Sequence, residues 1–411
     1  ATMGEGWTAA HTNPAQPAME DAAEIGWAFA VTAPFAVVDQ ERQPEDEMYR
    51  AVLPTPVSGW SLGANIPLSF LWKDHLAVGF SGYFPSTTTI HARTYDPITP
   101  YFYLYETQID HYDISAAISV KLFDWLAGGV GMRVGAGQRG KVHVEVDPLR
   151  QRLTGQSVDT EQYPIASPTA GLLVGPIPVP FVDAVKLRGA FVYKEAVFFP
   201  VVLPATVFVD GIDVEAALDI RTVANYSPRT LTGGLSIDVL DQVQVGVDVQ
   251  YAFWSEAPPP WVTMHTNLDG ESLRQLGLED SLDVPSPAQD RIPATSGFVN
   301  TLSVRVGVEW KLLDDRIALR TGYALRPTMD PDQTTGTNLI DCTTHSVGLG
   351  AAVHVPAKWL GLAKPIIFEV GDQLQIFQPR SVKKRDSTDP VGPWRASGAA
   401  NHLQVGLRYH F

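Results

Sequence analysis

The sequence alternates apolar and polar residues along most of its length, most clearly in its last eleven residues, 401–411. Apolar side chains take every second position there: Leu403, Val405, Leu407, Tyr409 and Phe411. Successive side chains of a β-strand point to opposite faces, so this spacing predicts a strand with one apolar and one polar face. The same period recurs at 243–253 and 302–311, and it predicts an all-β chain.

Two structures fit this alternation, and they differ in which face of each strand meets water. In a soluble sandwich the apolar face packs in the core, whereas in a membrane barrel it faces lipid and the polar face lines the lumen. Glycines are frequent on the polar face, which suits a crowded lumen, and aromatic residues lie towards strand ends, as in an interfacial girdle. We therefore predict an outer-membrane β-barrel and keep the soluble all-β fold as the alternative.

Composition excludes several other classes of protein. No window of about 18 uninterrupted apolar residues exists, so helical membrane spans are not expected. The formal net charge of -15 argues against binding to nucleic acid or to anionic membrane surfaces, which would favour clustered Lys and Arg. The single cysteine, Cys342, allows no intramolecular disulfide and is expected to be a spectator in a loop.

The first residues are small and polar, as expected of an exported chain after removal of a signal peptide, and the absence of a cysteine at position 1 argues against a lipoprotein anchor. We expect a monomer in the bacterial outer membrane, without cofactor or bound metal. Its partners there would be outer-membrane lipid, lipopolysaccharide and a hydrophobic small molecule or fatty acid, and the purified protein is expected to carry detergent.

Residues 1–23, here called the N-terminal segment, do not alternate and are too polar to face lipid. The rest of the chain, 24–411, predicts one barrel of fourteen antiparallel strands, the even number typical of bacterial single-chain barrels. We predict strands at 24–38, 60–70, from 76, 110–122, 126–146, 165–176, 184–196, 213–239, 243–255, 297–313, 315–327, 343–359, 364–378 and 400–411. Pro228 is interpreted as a bulge within the strand 213–239.

This strand order separates short and long connections. Tight turns fall at one end of the barrel, the predicted periplasmic end, near Asp74, Asp124, Asp241, Asp314 and Gly361. The long connections fall at the other, outer end: 256–296, 328–342 and 379–399. Such an arrangement is typical of outer-membrane barrels.

Several motifs along nearly the whole chain resemble the FadL-like outer-membrane transporters, which carry long-chain fatty acids and other hydrophobic compounds. The motifs are Asn-Pro-Ala at 13–15, LFDWLAGGVGMRV at 122–134, YSPRTLTGGLSIDVLDQVQVGVDVQYAFWS at 226–255, LLDDRIALRTGYALRP at 312–327 and the terminal YHF. The resemblance implies that the N-terminal segment is a plug, or hatch, inside the barrel. It also implies a kinked third strand that opens a lateral exit, and an outer hydrophobic capture groove.

Carried over residue by residue, the resemblance places the hatch signature at Asn13, Pro14 and Ala15. It places the kink of the third strand near Gly79, Gly82 and Pro85. Proline removes a ladder donor and glycine weakens a strand, so either residue type could interrupt pairing there. The N-terminal segment is short for this family, and the loop lengths are distributed differently.

Two outer loops carry apolar and aromatic residues that could hold a hydrophobic cargo before entry. The candidate capture residues are Tyr101, Phe102, Tyr103, Trp261, Val262 and Met264. Such a surface supplies about 25 cal/mol for each Å² of apolar area that it buries. The alternative is that these residues pack the loops together or form the interfacial girdle.

The polar face of the strands carries eight basic residues opposite five acidic ones. Buried charges need partners, so the expected role is a network of ion pairs that stiffens the barrel and holds the N-terminal segment. The functional alternative is that one arginine binds a ligand carboxylate, for which its fork geometry is suited. The candidates are Arg305, Arg320 and Arg408.

No HExxH motif, no GxSxG motif and no compact metal-ligand spacing is present, so an enzyme is not expected. The sequence favours a channel or transporter that takes up hydrophobic small molecules resembling long-chain fatty acids. Capture at outer loops, movement of the hatch and lateral release through the wall would be its steps. Two alternatives stay open: an open porin for polar solutes, and a structural or adhesive barrel that transports nothing.

Overall fold

The computed structural model describes most of the 411 residues. The described residues are 1–3, 6–20, 22–41, 46, 49–86, 98–106, 112–147, 152–180, 182–209, 214–261, 263–270, 282–284, 295–362, 364–385 and 389–411. Their strands are β1 Glu24–Gln40, β2 Val57–Pro67, β3 Leu76–Pro85, β4 Tyr101–Phe102, β5 Asp113–Phe123, β6 Leu126–Asp147, β7 Arg152–Val179, β8 Val182–Lys194, β9 Val197–Val209, β10 Val214–Ser227, β11 Thr230–Val239, β12 Val243–Ala252, β13 Thr263–Gly270, β14 Leu282–Val284, β15 Thr301–Leu312, β16 Ile317–Arg326, β17 Leu339–Ile340, β18 Thr344–Val355, β19 Ile366–Val382 and β20 Trp394–His410.

Fourteen of these strands close a barrel in which every neighbouring pair is antiparallel. Their order around the wall is β1, β2, β3, β5, β6, β7, β8, β11, β12, β15, β16, β18, β19 and β20. Strand β20 pairs back onto β1, from Glu24 opposite His410 to Gln40 opposite Trp394. The predicted fold class and strand number are therefore confirmed.

The outer surface of the barrel is apolar, because every second residue of each strand points away from the lumen. Leu235 on β11 is 70% exposed and Leu349 on β18 is 64% exposed, whereas Ser236 and Ala352 in the same strands are buried. A soluble protein rarely exposes so continuous an apolar surface. The exposed face is the one that a membrane-spanning barrel presents to lipid.

The five predicted tight turns all join strands at the same end of the barrel. Leu240 and Asp241, between β11 and β12, both have positive φ, 54° and 55°. Two positive φ values in a row match the twist of the flanking strands, as in a type I′ hairpin. Asp74, Asp314 and Gly361 are left-handed too, with φ of 57°, 54° and 68°.

The predicted strand 213–239 is wrong, because the chain makes two strands there and Pro228 lies between them. Strand β10 pairs with β9 and β13, outside the barrel, whereas β11 pairs with β8 and β12 in the wall. Proline has no backbone N–H for the ladder, which suits a position where the chain passes from one sheet region to another. Strand β9, which the alternation did not predict, pairs in parallel with the outer part of β6.

The same outer region explains why β6 and β7 extend beyond their predicted ends. Their pairing continues from Leu126 opposite Val174 to Asp147 opposite Arg152. In β7 the consecutive residues 159–162 are all exposed, so both faces of this part of the strand meet water. Without lipid on one side, no alternation is needed, and the sequence carries no signal for the extension.

Three other outer connections, 256–296, 328–342 and 379–399, also contain more strand than predicted. Strands β13 and β14 lie in the predicted loop 256–296, and β17 in 328–342 pairs with β4. The hairpin of β19 and β20 reaches Val382 and Trp394, beyond its predicted ends at 378 and 400.

Short helices complete the described structure: the 3₁₀ turns Gly6–Thr8, Gln16–Met19 and Trp254–Glu256, and the α-helical turns Ala9–Thr12, Tyr103–Glu106 and Ala357–Leu360. Within the described residues, no helix has the length and apolar character needed to cross a membrane.

Candidate functional site

The N-terminal segment packs against the lumenal face of the first strands, at positions where the wall has glycine. A Cβ atom added to Gly26 would lie 2.0 Å from the indole ring of Trp7, and one added to Gly63 would lie 2.7 Å from the carbonyl oxygen of Trp7. One added to Gly79 would lie 2.9 Å from Cβ of Ala10. These separations are too short for any side chain, so the absence of Cβ atoms allows the segment to approach the backbone.

The predicted tripeptide Asn13, Pro14 and Ala15 makes the closest of these contacts. Oδ1 of Asn13 accepts a hydrogen bond from the backbone N–H of Ala15 at 3.0 Å, and a Cβ at Gly171 would lie 2.1 Å from that oxygen. The carbonyl oxygen of Pro14 would lie 2.0 Å from a Cβ at Gly129. The tripeptide is thus a turn pressed onto β6 and β7, whereas its role in blocking the lumen stays a prediction.

Hydrogen bonds also attach the N-terminal segment to strands β1 and β2. The backbone N–H of Trp7 donates to Oε1 of Glu24 on β1 at 2.8 Å. Nδ2 of Asn65 on β2 donates to the carbonyl oxygen of Pro17 at 3.4 Å. Since Glu24 and Asn65 are almost fully buried, these bonds satisfy polar groups that the lumen would otherwise leave unpaired.

A cavity of about 660 Å³, here called the chamber, lies between the N-terminal segment and the outer loops. Trp7 and His11 line one end, and Leu104 and Tyr105 line the other. The remaining walls come from β1, β2, β3, β5, β16, β19 and β20: Ala30, Thr32, Ser61, Ser81, Gly82, Tyr83, Asp113, Arg326, Gln373, Gln375, His402 and Gln404. The chamber therefore offers aromatic and aliphatic surfaces beside many hydrogen-bonding groups.

Polar groups in the chamber wall are held in place by one another. The hydroxyl of Tyr105 donates to Oε1 of Gln375 at 2.6 Å, and burial raises the pKa of Tyr105, which keeps this proton in place. Oγ1 of Thr32 and Nδ1 of His402 are 2.8 Å apart. These contacts give the chamber fixed walls, as a binding cavity requires.

A group of charged side chains lies at the inner end of the chamber. Arg133 donates through Nη2 to Asp113 at 3.0 Å and through Nη1 to Oγ of Ser227 at 3.1 Å. Nearby, the charge of Lys194, together with burial, lowers the pKa of His11 to about 3, so this imidazole is neutral at pH 7. His11 and Asp113 line the chamber itself.

Sequence reasoning missed Lys194, although it lies within the predicted strand 184–196 and ends the observed strand β8. It has the same parity as Lys186 and Arg188, two of the eight basic residues predicted on the polar face, so strand parity alone could have found it. Those two residues are paired, with Asp241 at 2.6 Å and Asp238 at 3.1 Å. Within the described part of the chain, no carboxylate lies within salt-bridge distance of the Lys194 ammonium.

Four of the predicted capture residues are buried inside the outer loops. Tyr101, Tyr103 and Trp261 belong to one packed cluster that also contains Phe298. Phe102 belongs to a second cluster, around Trp394. Each of the four is at most 2% exposed, so the packing alternative describes this conformation, and capture by these side chains stays a prediction.

The other two predicted capture residues cannot be placed in the same way. Val262 lies outside the described residues, and Met264 is part of strand β13, which pairs with β10 outside the barrel.

Charge pairs lock the packed loops in place above the chamber. Arg326 binds both oxygens of Asp341, at 3.0 and 2.9 Å. Arg380 lies 3.1 Å from Oδ2 of Asp330, which is fully buried. Lys384 donates to three backbone carbonyl oxygens at 2.8, 2.8 and 2.9 Å. Opening the loops would therefore break buried charge-assisted bonds, which are stronger than neutral ones.

Two of the three candidate ligand arginines belong to one ion-pair network. Arg320 bonds Glu309 at 2.6 Å and Glu369 at 2.7 Å. Arg408 lies 3.0 Å from the same Glu369 and 3.7 Å from Glu24. The network thus crosses from β15 to β1 and reaches the carboxylate that holds the N-terminal segment, which is the arrangement expected of a stiffening network.

The third candidate, Arg305 on β15, stands apart from that network. Its Nη2 donates to Oε1 of Gln250 at 2.9 Å, and its side chain is exposed. The structure therefore brings Arg320 and Arg408 together through Glu369 and leaves Arg305 separate. Binding of a ligand carboxylate by any of the three stays a prediction.

Strand β3 keeps its pairing through the predicted kink. It pairs with β2 as far as Pro85 and with β5 as far as Tyr83, without a shift in register. Gly79 faces the N-terminal segment, whereas a Cβ at Gly82 would point outwards, 2.8 Å from the ring of Phe84. In this conformation the wall is closed at the predicted lateral exit, and only the backbone of Gly82 borders the chamber.

No family model matches the sequence, and neither does any curated protein. Solved structures do match over nearly the whole chain. A Pseudomonas aeruginosa FadL homologue superposes with a TM-score of 0.56 at 14% identity, over 98% of this chain and 94% of that one. The Pseudomonas putida toluene transporter TodX superposes with a TM-score of 0.53 at 13% identity, over 99% and 94%. The chain therefore has the fold of the FadL-like barrels, and the predicted resemblance is confirmed at the level of fold.

Proposed function

We propose that this protein is an outer-membrane channel for the uptake of a hydrophobic small molecule with a polar or anionic end, such as a long-chain fatty acid. The cargo enters between the outer loops, occupies the chamber, displaces the N-terminal segment and leaves sideways through the wall. The proposal follows the fold of the two transporters' structures and the properties of the chamber.

The chamber is the observation that carries the proposal. Its volume of about 660 Å³ is within the range of roughly 300–1,000 Å³ that is typical of small-molecule sites. Trp7, Leu104 and Tyr83 supply apolar contact area, and glutamines and histidines supply hydrogen bonds. Such a lining suits an amphipathic cargo better than a hydrocarbon without polar groups, since unpaired polar groups would cost free energy on desolvation.

The charge at the inner end of the chamber supports an anionic end group. Two basic side chains, Arg133 and Lys194, lie near one carboxylate, Asp113, which is paired with Arg133. A cargo carboxylate would favour the protonated form of Lys194 and pair with it. The cargo's carboxylate would point towards Lys194, and its apolar part would lie along Trp7 and Leu104.

The outer surface next to the chamber supports lateral release. On the lipid-facing side of β3, Gly82 is covered only by aromatic rings: Phe84 lies 2.8 Å from the position of a Cβ, and Phe80 lies 3.6 Å from it. Just below it, a groove of about 400 Å³ runs over β2, β3, β5 and β6, bordered by Ala64 and Ala116. A cargo that passed the wall at Gly82 would reach an apolar groove open to lipid.

Filling the chamber tests the proposal most directly. Ser81 points into the chamber, so Ser81→Trp should reduce both binding and uptake of a radiolabelled long-chain fatty acid, by at least about tenfold if most of the chamber contact is lost. Binding is measured on purified protein in detergent, and uptake in cells that depend on this protein. Unchanged binding in a folded Ser81→Trp variant would contradict the chamber as the cargo site.

The adjacent residue separates binding from release. Gly82→Trp places a side chain on the outer surface of the same strand, where the ring of Phe84 must move aside, so it should reduce uptake more than binding if the cargo leaves sideways. Gly233→Trp is the control for a tryptophan on the outer surface, because Gly233 on β11 lies far from β3 and a Cβ there meets open space. Normal uptake by Gly82→Trp would contradict lateral release without affecting the assignment of the chamber.

A further inference from the structure

The lumen has a second glycine-rich surface that the N-terminal segment does not cover. This surface, here called the glycine wall, lies on β16, β18, β19 and β20 and consists of Gly322, Gly348, Gly350, Gly371 and Gly406. The nearest atoms to a Cβ at any of the five belong to neighbouring strands, at 3.1 to 3.9 Å. Contact with the N-terminal segment therefore does not explain why glycine is present there.

A cavity of about 390 Å³ lies over the glycine wall. Gln373, His402 and Gln404 line both this cavity and the chamber, so the two spaces meet at these side chains. Adding side chains to the glycine wall would fill the cavity, and the missing Cβ atoms therefore create space rather than permit packing. The cavity runs along the wall away from the chamber, towards the end of the barrel with the tight turns.

The other end of this cavity meets the ion-pair network. Arg320 and Glu369 line the cavity and are bonded to each other at 2.7 Å. Glu369 also pairs with Arg408, and Arg320 also pairs with Glu309. The Arg320 side chain is 38% exposed, whereas Glu309 behind it is buried. The ion pair between Arg320 and Glu369 thus borders the lower end of this cavity.

We propose that the glycine wall forms a second passage, which lets small neutral polar solutes move along β16 to β20 past the N-terminal segment, with the Arg320–Glu369 ion pair as its gate. This route differs from lateral release in both path and cargo. It requires no movement of the N-terminal segment, and it does not depend on the function proposed above.

The lining indicates the class of solute. The amides of Gln373 and Gln404 and the imidazole of His402 can all bond a neutral hydroxylated molecule. At the gate, two arginines lie among three glutamates, and opposite charges are paired: Arg320, Arg408, Glu309, Glu369 and Glu24. The electrostatic potential there therefore favours neither anions nor cations. Pore diameter and hydrogen-bonding groups then determine what passes.

Narrowing the passage is the first test. Gly348→Phe projects a ring into the cavity, and Gly233→Phe projects the same ring into open space on the outside of the barrel. With full-length protein in liposomes, arabinose influx should fall at least about threefold in Gly348→Phe and stay unchanged in Gly233→Phe, because pore diameter limits passage. Equal influx in Gly348→Phe and wild type would overturn the proposal.

Opening the gate is the second test. Glu369→Ala removes the central carboxylate but leaves Arg320 with Glu309 and Arg408 with Glu24, so no arginine is left without a partner. Arabinose influx should rise about threefold or more, whereas Glu369→Gln keeps the side-chain length and should give a much smaller rise. Influx that is absent from wild type and Glu369→Ala alike would overturn the proposal.

Folding of each variant is checked by its resistance to unfolding in detergent on a gel. If Gly348→Phe does not fold, Gly371→Phe provides the same obstruction from β19, and the Glu369→Ala comparison stands alone. Binding of the labelled fatty acid should be retained in Glu369→Ala, because Glu369 does not line the chamber and Glu24 keeps its contacts to Trp7, His410 and Arg408. If arabinose influx is absent but the fatty acid still binds, the passage along the glycine wall is wrong and the proposed uptake function is unaffected.

Discussion

The two sides of the lumen contain glycine for opposite reasons. On β1 to β7, a Cβ at Gly26, Gly129 or Gly171 would lie about 2 Å from an atom of the N-terminal segment, so glycine permits close packing. On β18 and β19, a Cβ at Gly348 or Gly371 would meet nothing closer than 3.8 Å, so glycine leaves space. The same residue type in the same alternating pattern thus allows close packing of the N-terminal segment on one side of the lumen and leaves unfilled space on the other.

Removing the N-terminal segment should produce the largest change in conductance, because both glycine-rich surfaces of the lumen would then border open space. We expect only the small current of the passage along the glycine wall through the intact chain in a planar bilayer, and a much larger conductance step after deletion of residues 1–23. Pore diameter sets conductance, and the deletion removes every contact with β1 to β7. A steady, equally large current from both proteins would show that the segment is no hatch.

A pair of alanine substitutions compares the two sides by stability. Gly129→Ala should destabilise the protein or displace the N-terminal segment, at a cost of roughly 1–3 kcal/mol or more, because the methyl group would overlap the carbonyl of Pro14. Gly371→Ala has free space and should change stability little. Thermal unfolding and protease cleavage of the N-terminal segment measure both effects, and equal behaviour of the two variants would contradict the comparison.

A smaller effect is expected from the charges on the two sides. Lys194, near the N-terminal segment, lacks an ion-pair partner within the described residues, whereas Lys186 on the same strand binds Asp241 at 2.6 Å. Lys194→Gln should weaken binding of a fatty acid by about tenfold, since charge-assisted hydrogen bonds contribute about 1.5–3 kcal/mol. Lys186→Gln is the control and should bind normally.

The cargo itself provides a further control for Lys194. The corresponding fatty alcohol has no carboxylate, so its affinity should be nearly the same for wild type and Lys194→Gln. If both ligands lose affinity equally, Lys194 supports the shape of the chamber and does not bind the anionic end.

The membrane-spanning part of the fold could be predicted from the sequence because lipid imposes a strict pattern on it. One face of each strand meets lipid and the other meets the lumen, so alternation locates the strand and the tight turns near Asp241 and Asp314 separate neighbours. Beyond the membrane both faces meet water or protein. For that reason the extension of β6 and β7 and the strand β9 left no comparable signal.

Site residues could be predicted only on the strands, where alternation along the strand determines whether a side chain points to lipid or into the lumen. By the alternation of the sequence Leu76, Val78 and Phe80 share one face of the strand, and the same parity puts Gly82 on that outer face, where the structure has it. The aromatic residues of the outer loops have no such rule. Tyr101 and Trp261 could pack a loop, form a girdle or bind a cargo, and only tertiary contacts show that they are buried.

Glu24 joins the two sides of the lumen through a single carboxylate. Its Oε1 accepts the backbone N–H of Trp7 at 2.8 Å, and its Oε2 lies 3.0 Å from Nε2 of His410 and 3.7 Å from Arg408. A cargo that withdraws Trp7 changes the free energy of the bonds that this carboxylate makes to the neighbouring strand β20. Thermodynamic linkage makes the effect reciprocal, so altering those bonds must change the affinity of the cargo by the same factor.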